Sequence, residues 1–450
     1  MKCICALVIL FVIFDLMFNL DLSANGSGKS NEDNDAYKKE PIIRDANLKL
    51  EKVFEGLDFP TSVAFLGPDD ILVLEKNKGT VQRIVNGNLL GEPLLDVNVA
   101  NSQQRGMLGI AISKQESDGA DKQIAHVFLY YTETKSKDGE DLEGGGTLGN
   151  RLYRYDLVND KLVNPKLLLD LPAEPGLHHT GGVVLIGPDD YVYLVIGDVD
   201  HSTQAQNILD EEEPDGTSGI LRITQDGKVV QDDNNLGDND PLNKYYAYGI
   251  RSSFGMDFDP LTGNLWDTEN GDHCCDEINL VEQGFNSGWK KVQGIWQLNK
   301  TGEIDGIFND TSHKESKLVT FNGKGKYSNP EFTWNHVVAP TALKFLDSDN
   351  LGNQYENDMF VANFNDQILY HFDLTKNRRE LLLNDTLIDK IAESSEDLKG
   401  FIFGVGFGKI TDMDIGPDGN LYVLSHKQNK TDDYNYGRTG SIFKIFKSGN

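Results

Sequence analysis

The segment at residues 177–182 combines two histidines with a pair of glycines. Glycine lets the backbone approach a ligand closely, and an imidazole is a natural general base near neutral pH. Asp198 follows the next apolar run, where its carboxylate could accept a hydrogen bond from His179 and fix the imidazole tautomer. The pattern predicts a base and its orienting acid, although on spacing alone such a histidine is more often a hydrogen-bonded turn residue.

Two further clusters combine charge with glycine. Arg251 could clamp a carboxylate through two parallel hydrogen bonds, or form an ordinary salt bridge at the rim of the protein. Residues 268–279 carry many oxygen ligands, a composition that suits Ca²⁺ and equally a turn with capping carboxylates. The adjacent Cys274 and Cys275 could be a metal pair or a vicinal disulfide, although adjacent cysteines rarely form an unstrained bond.

These clusters lie at the ends of strand-like runs in a pattern that repeats six times. Each repeat has an apolar run, a turn rich in Pro, Asp and Gly, and two further β-rich runs; the third repeat occupies residues 182–223. The repeats predict an all-β fold over residues 45–450, a six-bladed β-propeller of four-stranded antiparallel blades. Residues 48–54 are expected to join the last blade and close the ring. A series of β-sandwiches is the alternative, but those domains repeat at about 100 residues.

The first 44 residues have a different composition. Residues 1–24 contain Lys2, an apolar run and small residues at the end, which predicts a signal peptide or an N-terminal anchor. The polar residues 25–44 predict a flexible linker. Five Asn-x-Ser/Thr sequons fit an exported chain; they begin at Asn25, Asn299, Asn309, Asn384 and Asn429. We therefore expect an extracellular, periplasm-like or cell-surface location, with no membrane span beyond the possible N-terminal anchor.

The charge of the chain argues against one class of partner. The 450 residues carry a formal net charge of −29, and an acidic surface repels phosphate backbones, so no nucleic-acid partner is expected. The length exceeds that of an ordinary domain, but repeat folds grow by adding units instead of enlarging one core.

Several motifs, taken in chain order, resemble the soluble glucose/sorbosone dehydrogenase family. The matching segments are residues 56–65, 104–109, 179–182, 248–251, 276–280 and 284–289. The resemblance implies a propeller that carries pyrroloquinoline quinone (PQQ) and Ca²⁺. It also implies that the protein is a quinoprotein dehydrogenase whose substrate is an aldose, a small-molecule sugar. Such an enzyme oxidises a sugar hydroxyl to a lactone by hydride transfer to PQQ and then passes the electrons to an acceptor, which is unknown here.

The resemblance also implies roles for individual residues. His179 would take the proton of the anomeric hydroxyl, Asp198 would orient His179, and Gln104 would hold a sugar hydroxyl. Arg251 would bind a quinone oxygen or carboxylate. The carbonyls of two further residues would face a Ca²⁺ that polarises the quinone; these are Gly271 and Asp272.

The other cofactor-binding positions depart from the family pattern; they are Ser252, Asn365, Lys409 and Thr411. The family has a lysine at position 365 and an arginine at position 411, so two cations that the three carboxylates of PQQ would need are missing. Three nearby lysines are candidates to replace them: Lys290, Lys344 and Lys427. If nothing replaces them, the alternative is a non-catalytic extracellular propeller that binds glycans or an envelope protein. Glu277 is predicted to brace a blade.

Overall fold

The computed structural model describes residues 40–114, 125–135, 146–232, 234–308, 318–427 and 437–449. The predicted signal peptide and most of the predicted linker lie outside these ranges, as do the sequons at Asn25, Asn309 and Asn429. Among the described residues, no helix is long and apolar enough to cross a membrane.

Nearly all of the regular secondary structure in the described chain is β-strand. Its first sixteen strands are β1 (Ile42–Ile43), β2 (Leu48–Leu57), β3 (Pro60–Gly67), β4 (Asp70–Glu75), β5 (Thr80–Val85), β6 (Asn88–Leu89), β7 (Leu95–Asp96), β8 (Met107–Lys114), β9 (Ala125–Thr134), β10 (Thr147–Val158), β11 (Lys161–Leu171), β12 (Val184–Ile186), β13 (Val192–Ile196), β14 (Gly219–Ile223), β15 (Tyr245–Tyr248) and β16 (Ser253–Phe258).

The second half continues the same pattern. Its strands are β17 (Leu265–Glu269), β18 (Asp276–Val281), β19 (Phe285–Asn286), β20 (Val292–Gln293), β21 (Trp296–Leu298), β22 (Ile304–Ile307), β23 (Lys326–Tyr327), β24 (Phe332–Trp334), β25 (Pro340–Phe345), β26 (Met359–Asn363), β27 (Ile368–Phe372), β28 (Ile391–Ala392), β29 (Ile402–Val405), β30 (Lys409–Ile415), β31 (Leu421–His426) and β32 (Gly440–Lys447). Short 3₁₀ helices span Gln204–Gln206, Asp385–Leu387 and Lys399–Phe401.

Within the described ranges, six large sheets each contain a run of consecutive antiparallel strands. They begin at β3, β8, β12, β16, β25 and β30, and a small three-stranded sheet, β20-β21-β22, lies apart from them. Two of the six have four strands and the others have five or six. The predicted uniform four-strand composition is therefore not confirmed, because short strands such as β19, β23 and β28 lengthen the outer edges.

Several second strands of the repeats are buried along their whole length. All five residues of β13 are buried, as are all five of β26 and all six of β31. A strand covered on both faces does not alternate between polar and apolar residues. The burial therefore indicates that each sheet packs between two others, and an apolar cluster around Phe128, Tyr130 and Leu194 joins two neighbouring sheets.

The N-terminal strands fill the edges of later sheets. Strand β2 pairs antiparallel with β32, from Leu48 opposite Lys447 to Leu57 opposite Gly440, which confirms the predicted pairing of residues 48–54 with the last repeat. Ile42 and Ile43 pair with β29. These two residues, at the C-terminal end of the predicted linker, thus form a short strand.

The first strands of the six sheets lie next to one another. Strand β3 contacts β8, β8 contacts β12, and β13 of the third sheet contacts β16; β16 then contacts β25, β25 contacts β30, and β30 contacts β3. Residues of all six first strands line a central channel with a volume of about 1600 Å³. Glycine is needed at one approach, because a Cβ at Gly109 would lie 1.7 Å from the carbonyl oxygen of Gly182.

Candidate active site

All ten predicted site residues lie at the same end of their sheets. This is the end at which the first strand begins and the second strand finishes, and these two points meet because the strands are antiparallel. His179 precedes β12 and Asp198 follows β13, while Arg251 precedes β16 and Gly271 follows β17. The sheets therefore bring residues that are far apart in sequence to one mouth of the channel.

His179 and Asp198 form a hydrogen-bonded pair, with 2.6 Å between Nδ1 and Oδ1. Asp198 is 2% exposed, and its Oδ2 accepts a second hydrogen bond, of 2.7 Å, from the indole nitrogen of Trp289. Because an ionised carboxylate only accepts, Nδ1 of His179 must carry the proton and Nε2 is left as the basic atom. The His179 side chain is 13% exposed, so a ligand can reach it.

The turn that carries His179 has an unusual backbone. His179 itself has a φ of 57°, a region that few residues other than glycine adopt. Gly181 follows with a φ of 64°, and a Cβ there would lie 2.5 Å from the carbonyl oxygen of Val195. The glycine therefore lets the turn lie against the end of β13, from which Asp198 follows.

Gln104 contacts this turn from the neighbouring sheet. Its Oε1 accepts a hydrogen bond from the backbone N–H of His179, with 2.5 Å between the atoms. Its own backbone carbonyl accepts one from the hydroxyl of Thr180, at 2.9 Å. Gln104 thus supports the backbone of His179, and its role toward a sugar hydroxyl stays a prediction.

Two residues that the sequence did not assign complete the surroundings of His179: Trp289 and Asp200. Asp200 Oδ1 lies 3.5 Å from His179 Nδ1, and its Oδ2 lies 3.1 Å from Nδ1 of His178. The hydrogen bond from His178 lowers the pKa of Asp200 to about 2, so a second carboxylate charge lies beside the pair. The Asp-x-Asp spacing was the signal for Asp200, and Trp289 lay inside a matched motif.

Arg251 lies close to this pair through its backbone, because its carbonyl accepts a hydrogen bond of 2.9 Å from Asp198 N–H. Its Nη1 donates to the carbonyls of Asn270 (3.0 Å) and Gly271 (2.8 Å), and its Nη2 donates to Asp272 Oδ1 (2.9 Å). The guanidinium carbon lies 5.4 Å from the centre of the Trp289 ring. One loop therefore holds the arginine at the channel mouth.

Several buried polar atoms around Arg251 have no hydrogen-bond partner in the described chain. They are Nε of Arg251, Oγ of Ser252 and Oδ1 of Asn270. Buried polar groups in native proteins are normally satisfied by protein, water or a ligand. Three such atoms in one place are what a polar ligand at the channel mouth would use.

One of the two predicted metal ligands has another partner. The Gly271 carbonyl accepts a hydrogen bond from Arg251, whereas at Asp272 Arg251 donates to the carboxylate and not to the predicted backbone carbonyl. Cys274 and Cys275 are joined by a disulfide, which is one of the two alternatives that the sequence left open. A Cβ at Gly271 would lie 1.7 Å from the Cys274 carbonyl oxygen, so the loop requires glycine there.

Buried carboxylates lie behind this loop. Burial raises the pKa of Asp276 to about 6, although its carboxylate accepts hydrogen bonds from the backbone of Gly271 and Val338. Burial, with the nearby charge of Glu269, raises the pKa of Glu277 well above its ordinary value. Glu277 accepts a hydrogen bond from Gly294 N–H. Asp276 thus holds the backbone of this loop, and the predicted bracing of a blade by Glu277 stays a prediction.

Two other predicted cofactor-binding residues, Asn365 and Thr411, form hydrogen bonds with backbone carbonyls away from Arg251. The Asn365 side chain donates to the Val337 carbonyl at 3.3 Å, and Thr411 Oγ1 donates to the Leu424 carbonyl at 3.4 Å. Lys344, a candidate replacement cation, lies 3.0 Å from Asp414 and 3.6 Å from Asp257. Its charge is already compensated.

Comparisons with known proteins agree with the sequence motifs. The profile of the family described as glucose/sorbosone dehydrogenase matches residues 57–432. An aldose sugar dehydrogenase of Escherichia coli K12 is 24% identical over 383 residues, which are 84% of this chain and 90% of that protein. Quinoprotein glucose dehydrogenase B of Acinetobacter calcoaceticus is 27% identical over 297 residues, which are 62% of this chain and 59% of that protein.

Solved structures with the same fold include two aldose sugar dehydrogenases. The soluble apo-enzyme of E. coli has a TM-score of 0.62 at 22% identity, over 88% of this chain and 99% of that chain. The PQQ-bound enzyme of Streptomyces coelicolor has a TM-score of 0.58 at 20% identity, over 90% and 99%. At these identities the likeness establishes the fold.

Proposed function

Because this chain belongs to the glucose/sorbosone dehydrogenase family, we propose that it is an exported quinoprotein that oxidises the anomeric hydroxyl of an aldose to a lactone. One observation carries the proposal: the hydrogen-bonded chain from Trp289 through Asp198 to His179 leaves Nε2 of a reachable imidazole as a base. A family likeness alone does not set an activity, but this arrangement supplies the proton acceptor that the reaction needs.

The proposed architecture is a six-bladed β-propeller. Six sequence repeats support it, as does the order of contacts among first strands, which starts and finishes at β3. The channel lined by those strands corresponds to the axis of such a ring.

The residues at the channel mouth fit PQQ. Arg251, Ser252 and Lys409 would hold it, and the two unpartnered atoms that can donate, Nε of Arg251 and Oγ of Ser252, are suited to its oxygens. When bound, PQQ would supply the hydride acceptor.

The proton step follows from the hydrogen bonds of His179. Nε2 would accept the proton of the anomeric hydroxyl while the hydrogen on the same carbon leaves with its electron pair, so that carbon becomes the carbonyl of the lactone. Asp198 would stabilise the imidazolium that forms, and Trp289 would hold Asp198 in place. Gln104 would fix the backbone of His179 and present its amide NH₂ group to the sugar.

Calcium does not fit the site as it is arranged. A Ca²⁺ at the Gly271 carbonyl would share that oxygen with the Arg251 guanidinium, which donates to it at 2.8 Å. Two positive charges at one carbonyl repel each other. We therefore assign no step to a metal.

The experiment that tests the proposal compares two His–Asp pairs. His126 bonds Asp156 at 2.9 Å, but it lies at the start of β9, at the other end of its sheet from Gln104. We expect His179→Ala to lower dye-coupled sugar oxidation by about 10²–10⁴-fold, the usual contribution of a general base, and His126→Ala to retain activity. Wild-type turnover in folded His179→Ala would refute the assignment.

A further inference from the structure

A second group of basic and aromatic side chains lies at the same end of the sheets as His179. It consists of Phe59, Lys76, Phe364, Lys409 and His426, and we call it the basic cluster. Phe59, Lys76 and Phe364 line the same channel as Gln104. The cluster is drawn from the first, fifth and sixth sheets, so only the arrangement of the sheets brings it together.

Lys76 is a buried cation without an anionic partner. It is 4% exposed, and its ammonium donates to Asn77 Oδ1 and to the Asn101 carbonyl, both at 2.9 Å. Among the described residues no carboxylate lies within salt-bridge distance of it. Burial lowers the pKa of Lys76 to about 7. Such an ammonium is costly to bury unless an anion joins it.

Lys409 and His426 lie beside the phenylalanine rings of the basic cluster. The Lys409 ammonium lies 4.6 Å from the centre of the Phe364 ring, and no described carboxylate forms a salt bridge with it. The buried His426 ring contacts Phe59 and Phe364, with ring centres 4.6 and 5.8 Å away. Burial, with the charges of Lys409 and Lys76, lowers the pKa of His426 to about 3, so this imidazole is neutral.

We propose that Lys76 binds one carboxylate of a planar aromatic cofactor that Lys409 contacts elsewhere. An ammonium group pairs with a carboxylate through charge-assisted hydrogen bonds, and the rings of Phe59 and Phe364 offer apolar faces to a flat ligand. The inference rests on the proposed function and names the PQQ carboxylates as the ligand. Lys76 then supplies positive charge that positions 365 and 411 lack, and Lys344 cannot do so because two aspartates hold it.

The test measures binding, without turnover, on the full chain. PQQ is titrated into wild type, Lys76→Met, Lys409→Met and the control Lys166→Met, which removes one charge from an exposed lysine paired with Asp226. We expect Kd to rise at least tenfold in each of the first two variants and to stay unchanged in the control. The trimethyl ester of PQQ should bind wild type and Lys76→Met equally.

Thermal unfolding of the same proteins checks that the variants fold. Without ligand, Lys76→Met should melt at or above the wild-type temperature, because it removes a buried unpaired charge. PQQ should raise the melting temperature of wild type more than that of the variant. Two results would each overturn the carboxylate site and leave the proposed function standing. One is an unchanged Kd in folded Lys76→Met. The other is that Lys76→Met is less stable than wild type without ligand and is stabilised by PQQ as much as wild type. Failure of wild type to bind PQQ overturns both.

Discussion

Replacing Asp198 with asparagine tests the base assignment at a single atom. The two carboxylate oxygens have different tasks: Oδ1 accepts from His179 Nδ1 and from Asp200 N–H, and Oδ2 accepts from Trp289. Asparagine has one oxygen and one NH₂ group. If its oxygen faces Trp289, its NH₂ faces Nδ1, and His179 must carry its proton on Nε2, where it can no longer act as a base.

The other orientation of the asparagine is also unfavourable. Its NH₂ would then face the indole N–H in a site that is 2% exposed, and an unsatisfied buried donor costs about 1–3 kcal/mol. We therefore expect kcat of Asp198→Asn to fall by about 10²–10⁴-fold and Tm to fall by no more than a few degrees. The control Trp289→Phe removes one donor and keeps the tautomer, so its loss should be about tenfold.

The assay is dye-coupled oxidation of an aldose at saturating PQQ, with Tm measured on the same preparations. A kcat for Asp198→Asn within a few-fold of wild type would refute the reasoning, because the His179 tautomer would then be irrelevant. A loss in Trp289→Phe as large as that in Asp198→Asn would show that the indole does more than hold Asp198.

Three other predictions follow from the loop around Arg251 and the buried carboxylates. Burial raises the pKa of Asp267 to about 7, so the native state binds a proton that the unfolded state releases. This one group should lower the free energy of unfolding by about 1.4 kcal/mol per pH unit between about pH 4 and 7. Asp267→Asn should lose that contribution to the slope in unfolding titrations, and an unchanged slope would contradict the prediction. Arg251→Gln should bind Ca²⁺ more tightly than wild type in calorimetry, since it frees the Gly271 carbonyl; equal affinity would argue against competition. Glu277→Ala should lower Tm by several degrees because it leaves Gly294 N–H unsatisfied, and full thermal stability with lost activity would contradict a bracing role.

The sequence predicted those features that depend on local pattern. Repeated apolar runs and turns predicted the β-sheets, and residues 48–54 pair with the last repeat because their alternation matches an open edge. His179 and Asp198 were predictable because each flanks a strand of the same hairpin, β12 and β13, so any antiparallel pairing brings them together.

Features that depend on contacts between sheets were not predictable in this way. Lys76 and Lys409 are far apart in sequence, and they belong to neighbouring sheets because β3 and β30 lie side by side. The spacing of residues 268–279 suggested metal ligands, but it gave no sign that the Arg251 guanidinium would take the Gly271 carbonyl. Trp289 comes from a loop whose path the strand pattern does not determine, so its bond to Asp198 emerged only from the structure.

The most direct test of the central claim is a PQQ titration of the purified apo-protein, with Ca²⁺ present and absent, that follows the absorbance of the quinone and then adds an aldose. We predict saturable binding, bleaching of the quinone on addition of sugar, and no bleaching in His179→Ala. Absence of binding at high micromolar PQQ, or bound quinone that no aldose reduces, would contradict the account.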